Sequence, residues 1–340
     1  MLLVEGMQAQ PCDKTFTLQG KINLPTGTAF LASMDDITYF PGGHLPDSVK
    51  IVDGGFTFSG PICYPYGFFL VIRKGGSNIY MTEPFIIEPG TQSITCHADS
   101  IREVPIIQNN GTTELNRFEG SLQAMHLDQM KYKDQRTKSD KYLFDYSKEH
   151  PGSYMVLWKL TDRLVSGYEP IYDSIYFSLA DSLKNTYTGK VLGNRLRSAG
   201  KYAVGKSFPQ LMLRDRTNGQ RAVPSLNNGS KYILVDFWYS HCGSCIGQFP
   251  ALKAVYNKYQ AKGLDFIGIS TDTAIHVDDW KKAITTYQLP WRQYLDLNGK
   301  EANLLGVEMF PSNFLLDSSG KIIARNIEPA DLDSFLKAAD

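Results

Sequence analysis

The spacing of apolar positions changes twice along this chain. Up to about residue 108, short runs rich in Phe, Ile, Val, Thr and Tyr recur between turn residues: Thr15 to Leu18, Val49 to Val52, Phe56 to Ser59, Phe68 to Arg73, Ile79 to Thr82 and Phe85 to Glu88. Pro41-Gly42-Gly43, Asp53-Gly54-Gly55, Gly75-Gly76 and Pro89-Gly90 separate them. Glycine and proline supply turn dihedrals that other residues disfavour, so this pattern predicts a small antiparallel β-sandwich over residues 13–110. From about 112 to 200 the apolar steps become three and four, as in Leu115, Phe118, Leu122 and Met125, then Leu157, Leu160 and Leu164, then Ile171, Ile175, Leu179 and Leu183. Such steps keep one side of a helix apolar, and Pro151-Gly152 parts the first helical stretch from the second.

The helical middle segment, 111–200, is rich in tyrosine, including Tyr142, Tyr146, Tyr154, Tyr168, Tyr172 and Tyr176. They are expected to lie half-buried against a neighbouring domain. From about 203 onward, strands alternate with helices. Tyr232 to Phe237 and Asp265 to Ser270 read as buried strands, and Gly247 to Lys262 and Val277 to Tyr287 as helices. Ser312 to Asp317 and Lys321 to Arg325 form a hairpin around Ser318-Ser319-Gly320, followed by a last helix from about Ala330 to Ala338. Alternation of this kind gives an α/β domain, residues 203–340, with a mixed sheet covered by helices on both faces. The chain is therefore expected to be multidomain, with residues 1–12 as an N-terminal tail.

Composition narrows the partners. Thirty-five basic and thirty-five acidic residues balance, which argues against nucleic acid. No apolar run approaches the roughly 20 residues of a membrane span. Met1-Leu2-Leu3-Val4 is apolar but ends at Glu5, and Met7-Gln8-Ala9-Gln10 has the small, polar character of a cleavage region; this start reads as the tail of an incomplete signal peptide. Five cysteines in so long a chain are too few for a disulfide scaffold. Cys12 is expected as an ordinary thiol. Cys63 and Cys96 could pair, but two buried thiols are the expected state. His44 and His97 stand alone in the β-region and read as structural.

Cys242-Gly243-Ser244-Cys245 follows directly on the strand Tyr232 to Phe237. In a strand–loop–helix setting the first sulfur meets the free N–H groups of the helix N-terminus. These favour thiolate, the nucleophilic form, and can lower a cysteine pKa from about 8.5 into the range of about 3.5 to 7.5. The pair points to thiol–disulfide exchange.

Four features in order resemble the thioredoxin-like, envelope branch of disulfide oxidoreductases related to cytochrome c maturation proteins. They are Val235-Asp236-Phe237-Trp238 leading into the cysteine pair, Phe249-Pro250 in the next helix, Phe310-Pro311-Ser312-Asn313-Phe314-Leu315-Leu316-Asp317, and Gly320-Lys321-Ile322-Ile323. A β-rich first domain, a helical middle and a thioredoxin-like C-terminal domain also resemble envelope disulfide reductases of Bacteroides-like bacteria. The resemblance implies a periplasmic or outer-envelope location, protein thiols and disulfides as substrates, a membrane electron donor, no cofactor and no metal. It carries over Cys242 as the attacking thiol, Cys245 as the resolving one, and Pro311 as the cis-proline beside the substrate.

Two departures bear on mechanism. Gln248 stands where this branch usually has a glutamate beneath the disulfide. Asp236, six residues before Cys242, stands where it often has asparagine and matches the buried aspartate of ordinary thioredoxins. Burial raises a carboxyl pKa, so Asp236 is expected to pass a proton for Cys245. His241 reads either as an exposed loop residue or as a stabiliser of the Cys242 thiolate, and Trp238 as a packing residue beside the site. A thiol peroxidase is the nearest alternative, but the position three before its cysteine carries Thr or Ser, and here it is Tyr239. One Cys-x-x-Cys supplies half of a structural zinc site, and His150 and His276 read as isolated. A non-catalytic assembly or binding protein with a redox accessory is the third reading.

Overall fold

The computed structural model describes residues 12–33, 40, 48–75, 77–98, 104–217, 219–226 and 228–339. The apolar start, the turn Pro41-Gly42-Gly43, Gly76 and His44 lie outside the described residues. The described residues gather into two compact units, one comprising 12–164 with 170–196, the other 165–169 with 197–339.

The first unit carries β1 (Thr15–Ile22), β2 (Thr26–Ala32), β3 (Val49–Val52), β4 (Gly55–Pro61), β5 (Tyr66–Lys74), β6 (Ser77–Met81), β7 (Phe85–Ile87), β8 (Gly90–Cys96) and β9 (Ile106–Ile107). They follow one hydrogen-bonded path, β6-β5-β2-β3-β4-β1-β8-β9, with β7 on β5. Phe16, Leu18 and Ile22 of β1 are buried, while Thr15, Gln19 and Lys21, in alternate register, are exposed, the alternation of a strand with one covered face. β1 pairs with β8 in parallel, so the sheet is mixed rather than antiparallel. Turn residues mark hairpins between sequence neighbours; they carry no mark of a pairing that needs six intervening strands.

Helices α1 (Asn110–Ala124), α2 (Tyr132–Glu149), α3 (Tyr154–Val165), α4 (Pro170–Ser178), α5 (Asp181–Lys184) and α6 (Tyr187–Gly200) follow. Asn109 caps α1 by accepting from the Thr112 N–H at 2.7 Å. The Thr112 hydroxyl in turn accepts from Ile86 N–H of β7 at 3.0 Å, fixing helix to sheet. On β5, a Cβ at Gly67 would sit 2.1 Å from the Trp158 indole of α3, so only glycine permits this approach. Several of the tyrosines are consumed inside this unit. Tyr64 and Tyr154 stack at 5.4 Å, and the buried Tyr172 hydroxyl donates to Asp140 at 3.0 Å while accepting from Arg136 at 2.7 Å.

The cysteines here depart from expectation. Cys12 is joined to Cys63, with Cα atoms 4.9 Å apart, and buried Cys96 belongs to neither disulfide. The pairing is set by which ends of chain the sheet brings together, which spacing cannot reveal.

The second unit carries β10 (Leu213–Asp215), β11 (Arg221–Ala222), β12 (Tyr232–Trp238), α7 (Gly243–Tyr259), β13 (Leu264–Ser270), α8 (Val277–Thr286), β14 (Arg292–Leu295), α9 (Lys300–Leu304), β15 (Ser312–Asp317), β16 (Ile322–Arg325) and α10 (Pro329–Ala339). Its sheet runs β11-β10-β14-β13-β12-β15-β16, with β12, β13 and β14 parallel and β15 antiparallel to β12. Both faces of β12 are packed. Leu234 and Trp238 join Phe249, Trp280 and Leu332 on one side, and Ile233, Val235 and Phe237 join Phe208, Leu305 and Phe314 on the other. A strand buried on both faces reads as a continuous apolar run, which is why Tyr232 to Phe237 stands out in the sequence. Among the described residues, no helix is long and apolar enough to cross a membrane.

Candidate active site

β12 delivers the cysteine pair to the carboxyl end of the central strands, and Cys242 caps α7 with an extended backbone. The Cys245 N–H donates to Cys242 Sγ at 3.1 Å. Cys242 and Cys245 form a disulfide with Cα atoms 5.3 Å apart, and both are buried. An amide aimed at a sulfur, at the positive end of a helix, favours that sulfur's anionic form when the bond is opened. Helix α7 begins directly after Cys242, as the strand–loop–helix reading of the cysteine pair expects, and Cys242 itself supplies the cap. Pro250 within α7 removes one backbone donor.

The turn into the helix is fastened from β13. Buried Asp272 accepts from the Ser240 N–H at 2.9 Å and the Ser240 hydroxyl at 2.7 Å, and from the Ser270 hydroxyl at 2.6 Å. On the opposite side, the Ser244 hydroxyl donates to the Phe310 carbonyl at 3.3 Å and lies 3.4 Å from Cys242 Sγ. Phe310 precedes Pro311 through a cis peptide bond. Tyr239 packs edge-on against Phe310 at 5.4 Å. Sequence reasoning passed over Asp272, Ser244 and Gln293. The Trp238 indole N–H donates to Gln293 at 3.3 Å, a cross-strand contact with no local sequence signal.

Asp236 is 3% exposed. Strand alternation puts it on the same side of β12 as Leu234 and Trp238, the side on which both cysteines pack. Its Oδ1 has no hydrogen-bond partner, and burial pushes its pKa up from 3.8 to about 7. Gln248 is half-buried and donates to Glu328 at 3.2 Å.

His276 is not isolated. His241 Nε2 and His276 Nδ1 lie 3.0 and 2.9 Å from the same oxygen of Asp279, and the rings are 4.8 Å apart. The pairing joins the loop before Cys242 to the start of α8, a long-range meeting that residue spacing does not encode. Asp279 is held below the usual carboxylate range by the His276 and then the His241 hydrogen bonds.

Residues 203–339 match the Redoxin family, and residues 16–124 match a domain of unknown function, DUF4369. The thiol-disulfide oxidoreductase ResA of Bacillus thuringiensis (strain Al Hakam) is 28% identical over 141 residues, 40% of this chain and 79% of that protein. The thioredoxin domain of a thiol-disulfide oxidoreductase from Bacteroides vulgatus is 31% identical, over 40% of this chain and 97% of that one, with a TM-score of 0.36. A thioredoxin-like protein from Bacteroides caccae shares the fold over 68% of this chain and 88% of its own, at 17% identity and a TM-score of 0.52. With Cys242 capping α7, a Redoxin match over residues 203–339, and 31% identity to a thiol-disulfide oxidoreductase domain covered to 97% of its length, the chain belongs to the thioredoxin-like thiol-disulfide oxidoreductases.

Proposed function

We propose that the protein is a disulfide reductase of the cell envelope. The observation that carries the cysteine roles is the Cys245 N–H directed at Cys242 Sγ at the N-terminus of α7. In the reduced protein Cys242 thiolate attacks one sulfur of a substrate disulfide, and the other substrate sulfur leaves as thiolate and takes a proton. Cys245 then attacks Cys242 Sγ, closing the protein disulfide and releasing the substrate's second thiol. Two electrons pass to the substrate, and an external dithiol donor, proposed to be membrane-borne, restores the protein. Asp236, neutral or charged near pH 7, takes the proton from Cys245 for the resolving attack. The Tyr239, Phe310 and Pro311 surface beside the pair is proposed to seat an extended substrate segment. The envelope location rests on the kinship to ResA.

A trapping experiment tests the roles. Cys245→Ser should accumulate a mixed disulfide with an oxidised protein substrate, visible on a non-reducing gel, and Cys242→Ser should accumulate none. The reverse pattern would exchange the two roles. A redox potential near or below about −250 mV supports the reducing direction, and one near −120 mV refutes it.

A further inference from the structure

The His241, His276 and Asp279 cluster plays no part in the exchange steps above. His276 holds the N-cap position of α8 and Asp279 lies in its first turn, where a carboxylate is favoured by the helix dipole. His241 comes from the other side, in the loop that Asp272 anchors through Ser240. One ligand atom from each residue falls within 4.8 Å of the other two, and the two rings meet at 69°, so they converge edge to face rather than stack.

We propose that His241, His276 and Asp279 form a binding site for a divalent transition metal, with zinc as the natural occupant of two imidazoles and a carboxylate. Zinc sits about 2.0–2.2 Å from such ligands, so tetrahedral ligand atoms stand roughly 3.3–3.5 Å apart. Both imidazole-to-carboxylate distances, 3.0 and 2.9 Å, need only slight opening. The remaining adjustment is a turn of rings that are 58% and 40% exposed. On binding, each ring keeps its proton on the nitrogen facing away from the metal, and any proton held by an imidazolium is released to solvent. Three protein ligands leave a coordination position for water.

The test is a calorimetric zinc titration of the full chain, kept oxidised so that neither sulfur of the active pair can ligate. One equivalent should bind at pH 7.5. His241→Ala, His276→Ala and Asp279→Asn should each weaken binding by at least about tenfold. All three positions are at least partly exposed, so the variants are expected to fold, and circular dichroism confirms this for each. No binding by the oxidised protein, or equal affinity in all three variants, would overturn the site and leave Asp279 as a hydrogen-bond acceptor only. Binding that arises only after reduction would assign the metal to the cysteines and also overturn it. None of these results bears on the exchange roles of Cys242 and Cys245.

Discussion

Replacing Asp236 with asparagine should make the oxidised protein's stability less sensitive to pH. The buried carboxyl has its pKa raised from 3.8 to about 7 by desolvation, with no partner at Oδ1 to offset it. The unfolded chain loses this proton near pH 4, while the folded protein keeps it until about pH 7. Between these values the folded state binds more protons, so its stability falls as pH rises, and the loss is complete above pH 7. At about 1.4 kcal/mol per unit, a shift of this size is worth roughly 4 kcal/mol. Asparagine cannot ionise and removes that slope. It brings a pH-independent cost of about 1–3 kcal/mol if its amide finds no partner. The informative quantity is therefore the difference between variant and parent, measured by urea unfolding at pH 4.5, 6, 7.5 and 8.5 with tryptophan fluorescence. That difference should move in favour of asparagine by several kcal/mol across the series and level off above pH 7. A difference that stays flat within about 1 kcal/mol would refute a buried, pKa-shifted carboxyl at Asp236.

Two further outcomes follow from other contacts. Asp272→Ala strands the buried Ser240 and Ser270 donors and should lower stability by about 2–4 kcal/mol in urea unfolding, with Asp272→Asn recovering part of the loss. Cys63→Ser opens the Cys12–Cys63 bridge, which closes a separation of 51 residues. It should lower the stability of the unit that holds β1 to β9 by about 2–4 kcal/mol while insulin-type disulfide reduction by Cys242 and Cys245 continues unchanged.

Long periodic elements and short covalent motifs were legible because their information is local. β12 announces itself as an apolar run, α7 and α8 by steps of three and four, and the chemistry by two cysteines at fixed separation on a strand-to-helix turn. β10, β11, β14 and α9 were not legible: two to five residues cannot display a period, and they exist because the sheet supplies their partners. The same holds for the parallel pairing of β1 with β8 and for the tyrosines, whose rings are claimed by contacts such as Tyr64 with Tyr154, 90 positions apart.

The sequence by itself determined the α/β character of residues 203–339, the place of Cys242 and Cys245 at a strand-to-helix turn, and that of Asp236 on the strand that leads to them. Tertiary structure alone decided that Cys12 meets Cys63, that Asp272 fastens the turn before Cys242, that Ser244 reaches the Phe310 carbonyl, and that Asp279 gathers His241 and His276. Cys12 with Cys63, Ser240 with Asp272, Ser244 with Phe310 and His241 with Asp279 are each between 32 and 66 positions apart. The geometry that closes such gaps is set by sheet register and helix packing, which no neighbouring residue records.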